Sequence, residues 1–560
     1  MKLSGAEILL ECLIAEGVEL FFGYPGGVVL PLYNRFVQYP QIKHVLVRHE
    51  QSAAHAAEAY ARVSGTTGVC LATSGPGATN LVTGIANAYM DSIPMVILTG
   101  NVARDLIGRD GFQEADITGI TLPITKHNTL VMRASEIATV VKEAFHIAST
   151  GRKGPVLVDI PKDVFIEEAE YDGYPQSVHL RGYPIQDVPI PAEVERAAAI
   201  INAAKKPVVL AGHGVIQSGA AAELLEFAEK AEVPVITTLL GISCIPEDHR
   251  LSYGFLGMHG NYYCNLAAHE ADVVIGLGMR FDDRAMGRFK DYNPTATIVH
   301  IDIDPAEIGK NFPNTQCAVH GDAKLVLERL NPMIESTTHP EWVSWIDDLK
   351  AEHPTDYIVE DRGISGPWLV NEIGEATNHQ STIVTGVGQH QMWAAQYYGF
   401  RWPRQFITSG GLGTMGYETP AAIGAQFASD TPVWAICGDG GFQMTLQELQ
   451  TIRENDLPIK IAIFNNGFLG MVRQWQELFY DHNYQDVDIG QPDFLKLADA
   501  FGIKGIRAET RQEAQRAIGE AMQTDGPVLI DFRTVEEENV WPMVPAGAAL
   551  SETVESAEDL

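Results

Sequence analysis

The stretch PVWAICGDGGFQMTLQELQTIRENDLPIKIAIFNNGFLG, Pro432 to Gly470, decides how the chain folds. Val433 to Cys437 is an apolar run closed by Gly438-Asp439-Gly440-Gly441. Leu446, Leu449 and Ile452 then recur at helical spacing, and a second apolar run, Ile459 to Phe464, ends in Asn465-Asn466-Gly467. Two continuous apolar runs joined through a helix predict one strand–helix–strand unit of a parallel sheet, buried on both faces. Asp439 and Asn466 then fall where the strands end, and ligands of open α/β sheets sit beyond those ends. An Asp and an Asn among glycines suit a hard cation, because Mg²⁺ takes oxygen ligands and shares them with substrate phosphates. Glycines let backbone N–H groups approach such phosphates beside a helix N-terminus. The same residues also fit an ordinary unit in which Asp439 caps a helix and Asn466-Gly467 makes a turn.

Outward from this unit, composition narrows the class. At 560 residues the length suggests about three or four domains. With 46% hydrophobic and 20% charged residues, the chain can bury several cores. A formal charge of −33 argues against nucleic acid and anionic membrane as partners, since both need basic patches. Cys12, Cys70, Cys244, Cys264, Cys317 and Cys437 form no CxxC pair, so they read as buried thiols of a reducing, cytoplasmic compartment. No apolar stretch reaches the roughly 18 residues of a membrane span. Residues 1–18 read as an amphipathic helix and not as a signal peptide.

The chain falls into three α/β segments, each a doubly wound parallel sheet: 1–180, 190–340 and 365–545. In the first, strands are expected at His44–Val47, Gly68–Thr73, Met95–Thr99 and Val156–Ile160. Glu50 ends the first of these, ahead of an alanine-rich helix. The second has strands at Pro207–Gly212, Pro234–Thr238, Asp272–Gly278 and Thr297–Ile303. Their Gly- and Asp-bearing ends give it a Rossmann-type layout, without a full GxGxxG motif. The third has strands at Thr382–Thr385, Val433–Cys437, Ile459–Phe464 and Pro527–Asp531. Tyr171–Pro191 and Ser336–Gly366 read as linkers, and the acidic end Glu552–Leu560 as mobile.

Many ordered motifs carry a resemblance. They are FGYPGG (from Phe22), RHEQ (from Arg48), TSGPGATN (from Thr73), FQE (from Phe112), GPVLVDIPKD (from Gly154), GMHG (from Gly257) and RFDDR (from Arg280). GVGQHQMWAAQ (from Gly386), GLGTMG (from Gly411), GDG…NN, LGMVRQWQ (from Leu469) and ENVWPMVPAG complete the series. Nearly the whole chain resembles the catalytic subunit of the acetohydroxyacid (acetolactate) synthases. These are thiamine-diphosphate (ThDP) transferases of a two-carbon unit in branched-chain amino-acid biosynthesis. The resemblance implies decarboxylation of pyruvate and its ligation to pyruvate or 2-oxobutyrate.

It also implies roles for residues. Glu50 would support the aminopyrimidine of ThDP in losing its C2 proton, a task suited to a carboxyl raised in pKa by apolar burial. Asp439, Asn466 and the carbonyl of Phe468 would hold Mg²⁺. Val387, Gly388, Gln389, His390, Gly413, Gly438, Gly440, Gly441, Leu469, Gly470 and Met471 would surround ThDP, with Met415 as the apolar wedge that bends it. Gln113 and Lys162 would stand at the reaction centre. Phe112, Gln113, Met471 and Trp475 would meet substrate, with Trp475 favouring 2-oxobutyrate. An FAD that performs no net redox would lie along Arg152, Gly212, Thr238 and Leu239. Leu256, Gly257, Met258 and His259 would follow, then Gly278, Arg280, Asp282, Asp302, Ile303 and Asp322.

Arg109, Glu418, Phe468 and Gly441 depart from the common pattern: position 418 is usually small or apolar, and position 441 often Ser. A homodimer or tetramer is expected, with a small regulatory subunit. Pyruvate oxidase or 2-oxo acid decarboxylase activity on the same fold, a dinucleotide oxidoreductase and a silent scaffold are the competing readings. The intact Glu50, Asp439 and Asn466 set argues against the scaffold.

Overall fold

The computed structural model describes residues 1–312, 315–356 and 363–560. Three six-stranded sheets, each wholly parallel, run through it. The first lies in the order Lys43–Leu46, Leu20–Gly23, Gly68–Ala72, Met95–Asn101, Pro155–Pro161, His127–Leu130. The third runs Phe406–Ile407, Ile383–Thr385, Trp434–Gly438, Lys460–Asn465, Val528–Arg533, Lys504–Ala508. Numbered along the chain within each sheet, both orders are 2-1-3-4-6-5. The middle sheet runs Ser252–Phe255, Val235–Thr237, Pro207–Ala211, Val273–Leu277, Thr297–Asp302, Cys317–His320. Its order is 3-2-1-4-5-6, the arrangement of dinucleotide-binding sheets. The expected Rossmann-type middle is therefore present without its glycine fingerprint.

Central strands are buried along their whole length, as Val273–Leu277 and Met95–Asn101 are. That is why they read as unbroken apolar runs. The alanine-rich helix Glu50–Ser64 lies against the helix Glu418–Phe427 of the third segment. A Cβ on Gly424 would overlap the Ala56 carbonyl, so the two backbones touch. A single core runs from Phe22 to Leu529 and joins both outer sheets. The middle sheet keeps cores of its own.

Four expectations are corrected. Glu50 does not end a strand: the strand stops at Leu46, and Glu50 opens a helix capped by His49, whose Nδ1 accepts from the Gln51 amide at 3.2 Å. The N-terminus begins with a short strand, Lys2–Ser4, paired antiparallel with Glu168–Glu170 before the helix Gly5–Ala15. Ser336–Gly366 is not all linker, since Pro340–Glu352 is a helix docked by buried Trp342 and Ile346. Trp342 Nε1 donates to the Pro207 carbonyl at 2.9 Å. Residues 357–362 of that stretch lie outside the described residues. The acidic end is tied down: Val554 pairs with Met543, Thr553 Oγ1 accepts from buried Asn265, and Glu555 meets His353 at 2.6 Å. All six cysteines are buried and free, as expected. No described helix is long and apolar enough to cross a membrane.

Candidate active site

The third sheet changes winding direction between Ile383–Thr385 and Trp434–Gly438, and the crevice opens beyond the ends of those strands. A small pocket of about 60 Å³ sits there. Its walls include Val387, Gly388, Gln389 and His390 from one loop and Gly438, Asp439, Gly440 and Gly441 from the other. Asn466, Phe468, Leu469, Gly470, Met471 and Met415 complete the sequence-derived set, and Trp393, Phe464, Val472 and Thr534 add to it. Gly388 has φ +152°, a region that L side chains rarely adopt.

Asp439 is 2% exposed. Its Oδ1 accepts from the Gly440 amide at 2.8 Å, and its Oδ2 from the Gly467 amide at 2.7 Å and Gln491 Nε2 at 3.0 Å. These bonds lock the ends of the two strands together. Burial pushes the Asp439 carboxyl up to about 6, against the pull of the Gly467 and Gly440 amides. Asn466 Oδ1 accepts from the Phe468 amide at 3.1 Å. His390 Nε2 is buried without a partner, and burial pushes that imidazole down to about 3. It is a neutral ring. Among the described residues no group of three or more His, Cys, Asp and Glu side chains is placed to hold a metal. One carboxylate, one amide oxygen and one carbonyl are what Mg²⁺ takes when a phosphate completes its shell, so this donor set fits.

A second cavity, about 580 Å³, lies against the middle sheet where its winding reverses, between Pro207–Ala211 and Val273–Leu277. It shares Val387, Gly388 and Met471 with the small pocket. Arg152, Thr238, Leu239, Leu256, Met258 and His259 line it, as do Gly278, Arg280, Asp282, Asp302, Ile303 and Asp322. Gly212 and Gly257 do not. Gly212 backs onto Gly278 with no room for a side chain, and Gly257 onto Arg284 and Ala285. Gly413 lines this cavity and not the small pocket. Arg152 bridges segments, reaching Glu307 at 2.6 Å and Asp304 at 3.1 Å. Asp302 ends its strand almost fully buried, and burial pushes its carboxyl up to about 7. His259 Nδ1 is buried without a partner. Trp475 and Met471 stand in the same cavity. The sequence reading missed Lys153, Gln217 and Glu307 here, while His213 lies in the Gly212–Gly214 strand end it had marked; for Lys153 the signal was its place beside Arg152.

Glu50, Phe112, Gln113 and Lys162 line neither cavity. Glu50 is half-buried, so the expected apolar enclosure is missing within one chain. Its Oε2 accepts from Asn80 Nδ2 at 2.9 Å, a partner the sequence did not suggest. Gln113 packs on Gly75, in the loop that brings Gly77 to Glu50. Phe112 is 89% exposed, and Lys162 is exposed at the end of Pro155–Pro161.

Two adjoining clefts lie on three parallel sheets, and the three sheets match the order found by comparison with family models. Residues 3–120 match the N-terminal TPP-binding domain of thiamine pyrophosphate enzymes, 194–330 their central domain and 386–532 their C-terminal TPP-binding domain. Among curated proteins, the chain is 46% identical to an acetolactate synthase of Mycobacterium bovis, over 98% of this chain and 91% of the relative. It is 47% identical to the acetolactate synthase large subunit of Corynebacterium glutamicum (98% and 90% covered). A probable acetolactate synthase large subunit of Methanocaldococcus jannaschii is 46% identical (99% and 95% covered). The chain belongs to the acetolactate synthase family of thiamine pyrophosphate enzymes.

Proposed function

We propose that this chain condenses pyruvate, after loss of CO₂, with a second pyruvate or with 2-oxobutyrate, using ThDP, Mg²⁺ and FAD. The observation that carries the reading is the shared wall: the pocket of Asp439 and Asn466 meets the large cavity at Val387, Gly388 and Met471, close to Trp475. ThDP held there would supply a nucleophilic carbon and an electron sink for the decarboxylation of a 2-oxo acid.

The chain's residues do the rest. Asp439, Asn466 and the Phe468 carbonyl hold Mg²⁺ against the diphosphate. Backbone amides of the glycine loops receive its oxygens, and Met415 supports the bent cofactor. FAD occupies the large cavity along Arg152, Arg280, Asp302 and their neighbours. Met471 and Trp475 size the space for the second substrate.

Glu50, oriented by Asn80, exchanges a proton with the aminopyrimidine. Because Glu50 is half-buried and outside both cavities, it serves the cradle of a second copy. Two chains then build two sites across a symmetric interface, each completed by Gln113 and Lys162 near the reacting atoms. A small regulatory subunit, in keeping with the "large subunit" names of the relatives, is a further partner.

The experiment is incubation with pyruvate, ThDP and Mg²⁺, with and without 2-oxobutyrate, followed by product identification. Acetolactate and acetohydroxybutyrate are expected. Acetaldehyde, or acetyl phosphate with peroxide, would overturn the carboligase reading.

A further inference from the structure

We propose that Glu418 is a positioning residue of the diphosphate cradle: its carboxyl is wedged between the loops after Thr385 and after Gly438, sets their spacing, and fills the room that side chains at positions 386 and 441 would need. The proposal rests on the reading of this pocket as the ThDP site.

Glu418 opens the helix Glu418–Phe427 and has no exposed surface. Both its carboxyl oxygens are buried and make no hydrogen bond of good geometry, with only the amides of Gly416 and of Glu418 itself acting on them. A buried polar group so poorly partnered is destabilising, so its presence needs a physical reason. The glycines supply one. A Cβ on Gly386 would have the Glu418 carboxyl as its three nearest neighbours, overlapping Oε2 and lying 2.9 Å from Oε1. A Cβ on Gly441 would again have that carboxyl as its three nearest neighbours, with Oε1 at 2.5 Å, Cδ at 3.4 Å and Oε2 at 3.5 Å. Neither glycine has a positive φ, so the backbone admits alanine at both. The first obstacle to a side chain at either position is the Glu418 carboxyl.

The two glycines stand on opposite sides of the crevice. Gly386 follows Ile383–Thr385 and leads into Val387 and Gly388, which line the small pocket; Gly441 lines it directly. The carboxyl therefore braces both lips from behind, one glycine backbone away from the space assigned to the diphosphate.

Its charge state suits that place. Burial pushes the Glu418 carboxyl up to about 7, while the amides of Gly416 and Glu418 itself pull it the other way. Below about pH 7 the acid is neutral and does not repel an anionic cofactor. The titratable groups on neighbouring elements are Cys437, Asp439 and Glu448, Arg453 and Glu454 on the helix Leu449–Glu454, and Glu50, His55, Glu58, Tyr60 and Arg62 on the helix Glu50–Ser64. Glu58 and Arg62 are bonded to each other, to Asn87 and to Asp91. None bonds to Glu418.

The test is calorimetric titration of the full-length apoprotein with ThDP in the presence of Mg²⁺. The variants are G441A, E418A, E418A/G441A and E418Q, each also followed by thermal unfolding. G441A is expected to weaken ThDP binding at least about tenfold, because the new Cβ displaces the carboxyl. E418A/G441A binds within about threefold of E418A, since residues in contact do not add. E418Q, of the same shape and neutral, binds within about threefold of the wild type, whereas E418A is about tenfold weaker. Three results overturn the proposal: G441A binding like the wild type, the double variant showing the summed loss of the singles, or E418Q failing as E418A does. If the wild type takes up no ThDP, the cofactor reading fails instead. The wedge is then judged by melting temperature: lowered in G441A and restored relative to E418A in the double variant supports it, and additive losses overturn it.

Discussion

The first and third sheets share one strand order and end differently. At the third, two glycine loops close over Asp439, which is almost wholly buried, and a neutral His390 stands among them. At the first, the loops beyond the strands present a half-buried Glu50, an exposed Lys162 and a Phe112 that is 89% exposed. One topology thus yields a pocket that is closed within its own chain and a set of loops that is not. The fold supplies a crevice, and the loops decide whether one chain can complete it.

The largest expected effect breaks the closed end. Asp439→Ala should abolish measurable ThDP binding by calorimetry while circular dichroism stays native, because the carboxylate lies beyond the strand ends and outside the apolar cores. Retained affinity would move the cradle elsewhere.

At the open end, Glu50→Gln should slow C2 proton exchange on bound ThDP by about 10²–10⁴, with the cofactor still bound. Mixing the two inactive variants sharpens the contrast further. Random exchange makes half the dimers mixed, each with one intact site of two, so about a quarter of wild-type activity should return. No recovery despite exchange confirmed by mass would place both halves of the site within one chain.

A smaller effect separates the ends by pH. The folded Glu418 holds its proton up to about 7, whereas the ordinary value is 4.5. The folded apoprotein therefore binds more protons than the unfolded chain across that window, and this group lowers stability as pH rises through it. Glu418→Gln should gain up to about 3 kcal/mol on the wild type between pH 4.5 and 7 and nothing more above it. Parallel pH profiles of melting temperature in the two proteins would refute the assignment.

The smallest concerns selectivity in the shared cavity. Trp475→Ala should reduce the ratio of acetohydroxybutyrate to acetolactate by about five- to tenfold, since one methylene in an apolar pocket is worth about 1 kcal/mol or somewhat more. Competition between the two 2-oxo acids measures it, and an unchanged ratio would remove Trp475 from the second-substrate wall.

The central strands of the third sheet were legible in the sequence and its edges were not, for physical reasons. Central parallel strands are buried on both faces, so Val433–Cys437 and Ile459–Phe464 announced themselves within a residue of where they lie. Both edge strands of that sheet were missed. Lys504–Ala508 is mostly half-exposed and polar, and Phe406–Ile407 is two residues long; neither has a run or an alternation to read. Pro340–Glu352 passed for a linker because polar residues outnumber its two buried anchors. Around the site, Asp439 and Asn466 stood out because glycines flank them. The dependence of Gly386 and Gly441 on Glu418 had no local signal, because the contact spans more than twenty residues on either side.

The touch between Ala56 and Gly424 bears on the order in which the molecule can be made. One core of the middle sheet is made of Val194 to Ile334 and can close soon after its last strand, Cys317–His320, is made, while the other takes in Val544 and Leu550. The first sheet is synthesised earlier, yet one of its faces waits as well. One face of its alanine-rich helix stays wet until the helix Glu418–Phe427 arrives, and the core they share is completed by residues as late as Leu529. Residues 1–180 made alone would carry that bare face into solution, where exposed apolar surface promotes self-association. The full-length chain hides it at the last stage of synthesis, in the same step that brings the cradle of Asp439 together.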